Sequence, residues 1–269
     1  MPAIIEVKGL TKRFGGFTAV DNCTLSVEEG SVTGLIGPNG AGKSTLFNMV
    51  AGTFPPSSGT ILLDGKDVTG LPAHELFGHR LLRTFQIAHE FSNMTVLENL
   101  MMVPENQSGE NLFGAWLMPR DVRRQETAIR QKAEDVCDFL KISHVKHELA
   151  GNLSGGQKKL LELGRTMMTD ARIVLLDEIA AGVNRTLLND LAANIERLNR
   201  ERGYTFFVIE HDMDLITRLC DPVIVMASGT VMTEGHIADI QKNPAVIEAY
   251  FGGSPTGNAT SYHLEEEEA

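Results

Sequence analysis

Apolar residues along the chain gather in three short runs: "SVTGLIG" at 31–37, "RIVLLDE" at 172–178 and "YTFFVIEHD" at 204–212. A strand covered on both faces loses the alternation of a half-exposed one, so each run is expected to be a buried parallel strand. The segment after the first run, "GKSTLFNMVAG", carries apolar residues at Leu46, Phe47, Met49 and Val50 and ends at Gly52. That is the pattern of an amphipathic helix with a glycine C-cap, giving strand, Gly-rich loop, helix. From 90 to 164 the texture changes to "MTVLENLMMV", a polar stretch with "GENLFGAWLMPRD", and then "RRQETAIRQKAEDVCDFLKI". In the last of these Ala128, Ile129, Ala133, Val136 and Leu140 recur at helical spacing, which predicts a mostly helical insertion. No repeat of fixed period is visible. The expected division is a core in two parts, 1–89 and 165–251, around a helical subdomain at 90–164, with a flexible acidic tail at 252–269.

Composition narrows the setting. A chain of 269 residues can bury one large α/β core with an inserted part, and 42% hydrophobic with 22% charged residues describes an ordinary globular chain. The formal charge is −11, which argues against a general affinity for nucleic acid, since that needs basic surface. "EEEE" at 265–268 supplies four of those charges and is expected to stay solvated. Cys23, Cys137 and Cys220 are widely spaced and odd in number, so they suggest neither a disulfide frame nor a zinc site, and a reducing cytosol fits them. The start "MPAIIEVKGLTKRF" lacks the apolar stretch of a signal peptide, and no run of 18 apolar residues occurs. A soluble polypeptide is expected, free to dock on a membrane protein.

The chemistry is expected where the strands end. "GPNGAGKST", Gly37 to Thr45, fits the phosphate-loop pattern G-x-x-x-x-G-K-[ST]. Gly37, Pro38, Asn39, Gly40, Ala41 and Gly42 would form the loop, whose glycines let backbone N–H groups turn around a polyphosphate at the positive end of a helix. Lys43 would reach the β- and γ-phosphates, Ser44 would ligate Mg²⁺, and Thr45 would add a hydroxyl. At the end of the second run, Asp177 could hold a magnesium-bound water and Glu178 could act on an attacking water, although acidic pairs at strand ends often serve only as helix caps. His211 ends the third run and could orient around a γ-phosphate, while a lone His there is more often structural. Gln86, in "LLRTFQ", ends another apolar run, and its carbonyl could complete the Mg²⁺ shell. These features share one edge, the carboxyl ends of the strands, where open α/β sheets bind ligands.

The ordered set formed by the phosphate loop at 37–45, Gln86, "LSGGQ" at 153–157, "IVLLDE" at 173–178 and His211 resembles that of ABC-type ATPases and spans almost the whole chain. The resemblance implies a P-loop NTPase fold of the RecA-like kind, with a mainly parallel sheet, an N-terminal antiparallel β part and an inserted helical subdomain. It implies ATP and Mg²⁺ as cofactors and Phe14 stacked on adenine, although a Phe before two glycines could equally pack a hairpin. Locally, Ser154 and Gln157 fit a capping box on a helix that buries Leu160, Leu163 and Met167. That leaves Gly155 and Gly156 unexplained, whereas bare N–H groups beside a hydroxyl at a helix start suit a γ-phosphate. In proteins this one resembles, the turn caps ATP on a partner subunit, which implies a dimer of ATPase subunits held together by nucleotide.

Within that superfamily "RTFQ", "MTVLENL", "DEIAAGVN", "IEHDMDLI" and "NPAVIEAYFGG" look most like ATPase subunits of branched-chain amino acid and related amide or urea importers. That implies two membrane permease subunits, a solute-binding protein acting through them, no nucleic acid, and a peripheral location on the cytoplasmic face of the inner membrane. Ile179 and Val183 depart from the usual Pro and Leu, and altered loop rigidity with retained chemistry is expected. Met94, Met101 and Met102 would offer an adaptable docking surface or plain core packing, Trp116 a partner contact or a core plug, and His144 with His147 a solvated pair. A soluble ABC-type ATPase of DNA repair or translation is the rival, but tandem units, coiled-coil arms and a basic face are missing. A GTPase is disfavoured by the lack of N-K-x-D, and a binding-only module by the intact Lys43, Asp177 and Glu178.

Overall fold

The computed structural model describes residues 2–84, 90–104 and 119–251, without the side chains of 119–121 and 251. Two sheets organise the described residues. The first is antiparallel, in the order β2-β1-β4-β5, from β1 (Ala3–Phe14), β2 (Phe17–Glu28), β4 (Ser58–Leu63) and β5 (Lys66–Asp67). The second has the order β10-β9-β3-β8-β7-β6 and is parallel except at β10. Its strands are β3 (Val32–Ile36), β6 (Leu81–Arg83), β7 (Ile173–Asp177), β8 (Thr205–Ile209), β9 (Val223–Ala227) and β10 (Thr230–Gly235). The three apolar runs are β3, β7 and β8, buried at every position, as strands covered on both faces should be.

Alternate residues of these strands serve two cores. Leu35, Leu175 and Phe207 face the antiparallel sheet and α1 (Lys43–Val50), where Phe47 meets Phe207 with ring centroids 5.4 Å apart. Ile36, Val174 and Phe206 face the helical side, which includes α3 (Val96–Met101), α4 (Pro119–Phe139), α5 (Gly155–Met168), α6 (Arg185–Arg202) and α7 (Met213–Leu219). Burying each such side chain contributes about 1.5–3 kcal/mol, so both faces of the sheet are pinned to their layers. Three further short helices among the described residues are α2 (Ala73–Gly78), α8 (Ile237–Ile240) and α9 (Pro244–Phe251).

Local signals account for the helix ends. Gly52, at φ 70°, follows α1 and donates its N–H to Met49, as a glycine beyond a helix end does. Asn184 caps α6 by accepting from the Leu187 N–H, and Gly203 closes it. In α4 the buried stripe is Ile129, Ala133, Val136 and Cys137, continued by Leu140 just past the helix end. Ala128 is exposed, contrary to expectation, because it lies one residue, about 100° of helical rotation, off that stripe. Helix α5 continues unbroken through Gly164, whose missing side chain lets Leu140, Leu100 and Val136 approach to within about 3 Å of where a Cβ would sit.

Strand β3 lies between β8 and β9, so the chain leaves it toward β6, β7 and β8 on one side and reaches β9 and β10 on the other. Loops beyond β3, β7 and β8 therefore open on one crevice at the carboxyl edge.

Candidate functional site

The loop from Gly37 to Gly42 joins β3 to α1, and Gly42 is the N-cap, at φ 94°. A Cβ there would lie 2.5 Å from the Ala19 carbonyl oxygen, so only glycine lets the loop pass under the antiparallel sheet. Lys43 is 6% exposed, and its Nζ donates to the carbonyls of Gly37 (2.7 Å) and Pro38 (3.0 Å), which sets an ammonium inside the loop. Burial pushes Lys43 below its usual pKa, and the Glu178 carboxylate opposes that shift. Ser44 is exposed and Thr45 half-buried at the start of α1. A glycine cradle with an internal cation and a helix start fits a polyphosphate. Hydroxyl and carboxylate oxygens from Ser44 and Asp177 are the hard donors Mg²⁺ takes.

The parallel pairing of β7 and β8 brings Glu178 and His211 together, with Nε2 of His211 3.2 Å from Oε1 of Glu178. Glu178 holds φ 49°, a region disfavoured for a side-chain-bearing residue, and its N–H donates to the Ile209 carbonyl (3.0 Å). Such a backbone is kept only where its surroundings over-determine it. Lys159 of α5 donates from Nζ to the Glu178 carbonyl at 3.3 Å, so the helix after the "LSGGQ" turn also touches this loop. Ile179 is buried in the core.

Two residues of the site were not anticipated. Arg83, at the end of β6, pairs with Asp177 at 2.6 Å and also reaches Asn48 and Thr53, so it joins the end of β7 to the far end of α1. Glu210, 3% exposed, accepts from the N–H groups of Ala180 (2.8 Å) and His211 (3.1 Å). The available signal was a charged residue within or ending an apolar run, in "LLRTFQ" and "VIEHD".

The "LSGGQ" turn forms the expected capping box. Ser154 accepts from the Gln157 N–H at 3.4 Å, and Gln157 accepts from the Ser154 N–H at 3.0 Å. Ser154 and Gly155 are exposed. Gly156 is buried, and a Cβ there would fall 2.5 Å from a Leu187 methyl carbon, so contact between α5 and α6 supplies a second reason for that glycine.

Phe14, half exposed, sits at the β1–β2 turn opposite Phe17 and meets Phe54 edge-on at 5.8 Å, with Lys12 Nζ over both rings. Met94 and Met101 are partly buried, while Met102 is 48% exposed. His144 and His147 are exposed. Gln86, Trp116 and the acidic tail lie outside the described residues.

The family model described as ABC transporter matches residues 20–181. The chain is 41% identical over 253 residues to the probable branched-chain amino acid transport ATP-binding protein LivG of Archaeoglobus fulgidus, covering 93% of this chain and 95% of that one. It is 40% identical over 249 residues to the high-affinity branched-chain amino acid transport ATP-binding protein BraF of Pseudomonas aeruginosa, covering 93% and 98%. Among solved structures, a nucleotide-free ATP-binding cassette from an ABC transporter superposes with TM-score 0.80 at 36% identity, covering 94% of this chain and 100% of that one. An ADP conformation of such a cassette gives 0.79 at 35% identity, with the same coverage.

Proposed function

The chain belongs to the ABC transporter family, and on that premise we propose that it is the ATP-hydrolysing subunit of an importer for branched-chain amino acids or a related amide or urea solute. The observation that carries the hydrolytic part is convergence. A glycine cradle enclosing Lys43, the Asp177 carboxylate and the Glu178–His211 contact all meet at one sheet edge. The solute class rests on what the relatives are named for.

In this reading backbone N–H groups of the glycine loop and the Lys43 ammonium bind the phosphates, and Phe14 offers its half-exposed ring to adenine. Ser44 and Asp177, the latter through water, would hold Mg²⁺ with Gln86, and the ion would supply charge neutralisation to the phosphates. Glu178 orients the attacking water and takes its proton, while His211 holds the Glu178 carboxylate and faces the γ-phosphate. Ser154, Gly155, Gly156 and Gln157 of one copy cap the nucleotide held by a second ATPase subunit. Loss of phosphate then removes the charge joining the two, a switch driven by differential contacts.

A cavity of about 520 Å³, lined in part by Phe77, Leu82, Phe91 and Val103 between the sheet and the helical part, is the proposed seat for a segment of each permease subunit. Exposed Met102 on the same part supplies adaptable surface. No helix among the described residues is long and apolar enough to cross a membrane, and the proposed peripheral location on the cytoplasmic face follows from that docking.

The test is Glu178→Gln. It is expected to bind ATP as the parent does, lose turnover by at least about 100-fold, and accumulate as a dimer with ATP and Mg²⁺ in sedimentation. Parent-like turnover removes Glu178 from its role. A monomer hydrolysing at full rate, indifferent to Ser154→Ala, removes the capping role of the turn.

A further inference from the structure

Glu210 is the most deeply buried acid among the described residues, at 3% exposure. An ionised carboxylate in such a place is costly unless its oxygens are satisfied. Here the acceptors serve backbone donors from two different loops. Oε1 takes the Ala180 N–H at 2.8 Å, and Oε2 takes the His211 N–H at 3.1 Å. Ala180 stands two residues beyond Glu178, and His211 is the next residue after Glu210. One side chain therefore fixes the backbone on both sides of the 3.2 Å contact between Glu178 and His211.

That contact needs such a tie. Glu178 and His211 come from different strands, Glu178 has left-handed backbone, and half of the His211 side chain lies in solvent. The backbone bond across the two loops, from Glu178 N–H to the Ile209 carbonyl, fixes the strand ends but not the residues beyond them. A carboxylate, with two acceptor oxygens at a fixed separation, can hold both loops at once. A hydroxyl in its place has a single oxygen for the task. We propose that Glu210 is a positioning residue for hydrolysis: it sets the spacing of the Glu178–His211 pair by clamping the two loops that carry them. The proposal rests on the reading that this pair acts on the attacking water.

The experiment uses the full chain with ATP and Mg²⁺, and compares Glu210→Gln with Glu178→Gln and His211→Ala. Glutamine keeps the shape but offers one acceptor oxygen, turning its NH₂ toward the other N–H. Misplacing a reacting group by about 1 Å can cost on the order of 100-fold, so kcat is expected to fall by about 10- to 100-fold. KM for ATP should stay near the parent's, because the phosphate loop is not touched; the melting temperature, read at one pH for all variants, follows the burial of Glu210 and is not diagnostic by itself. In the His211→Ala background the same change should cost less than about twofold, since the pair it sets is already broken. If Glu210→Gln does not fold, Glu210→Asp, which withdraws both oxygens, carries the same expectation.

A kcat within about twofold of the parent, or a loss of equal size in both backgrounds, overturns the positioning role while leaving Glu178 in place. A fall in kcat tracked by KM and melting temperature together marks a structural role and also overturns it. Parent-like turnover of Glu178→Gln removes the hydrolytic reading itself, and the positioning role with it.

Discussion

Gly42→Ala tests the cradle most directly. At φ 94° a Cβ meets the unfavourable left-handed geometry, which costs roughly 1–2 kcal/mol for a residue with a side chain. It would also lie 2.5 Å from the Ala19 carbonyl oxygen, 3.3 Å from a Val20 methyl carbon and 3.4 Å from the Gly229 Cα. The first of these is backbone in a paired strand and cannot swing aside, so an overpacking cost of about 1–3 kcal/mol is added. The sum, about 2–5 kcal/mol, divides between lost stability and a loop that shifts away from the phosphates. Gly40→Ala supplies the control, because Gly40 has φ 79° but a Cβ there meets nothing within 4 Å. Urea unfolding of the nucleotide-free chains should place Gly40→Ala within about 2 kcal/mol of the parent on strain alone. Titration calorimetry should show Gly42→Ala losing ATP affinity by at least about tenfold, whatever share of the cost appears as instability. If Gly42→Ala matches Gly40→Ala in stability and binds ATP like the parent, the cradle is not held against the antiparallel sheet as described.

Three further outcomes are expected. Arg83→Met leaves the Asp177 carboxylate, whose side chain is 9% exposed, without its cation, and should cost about 3 kcal/mol in urea unfolding; a change under about 0.5 kcal/mol would show the pair to be idle. Phe14→Ala should leave stability within about 1 kcal/mol, because the ring is 50% exposed, yet weaken ATP binding by roughly fivefold or more through lost stacking; unchanged affinity in calorimetry takes Phe14 out of the site. Burial holds Glu210 above the ordinary carboxylate value of 4.5, so over that window the folded chain binds more protons than the unfolded one. Its contribution to stability is full below pH 4.5 and is lost as pH rises through the native value, so Glu210→Gln should gain stability relative to the parent from pH 4 to 7; a pH-independent difference in urea midpoints contradicts that sign.

The amino-acid sequence by itself determined the central strands, the phosphate loop with its helix, and the capped "LSGGQ" helix. Each of these is a local signal: a run buried on both faces, glycines and a lysine at fixed offsets, a serine and a glutamine one turn apart. Periodicity also placed α4, although it put Ala128 on the wrong side of the stripe's border, since residues one apart differ by about 100° in direction.

What only the tertiary structure decided is which distant groups meet. Arg83 meets Asp177 across 94 positions, Glu210 meets Ala180 across 30, and His211 meets Glu178 across 33. Neither the left-handed backbone at Glu178 nor the packing of Gly156 on Leu187 leaves a trace in local pattern. Hydrophobic periodicity reports how one segment faces the interior, whereas a buried charge takes its partner from whichever strand the sheet order sets beside it. That order, β3 between β8 and β9 with β7 next to β8, is fixed by the packing of whole layers. The site is accordingly a property of the assembled sheet edge and not of any one motif.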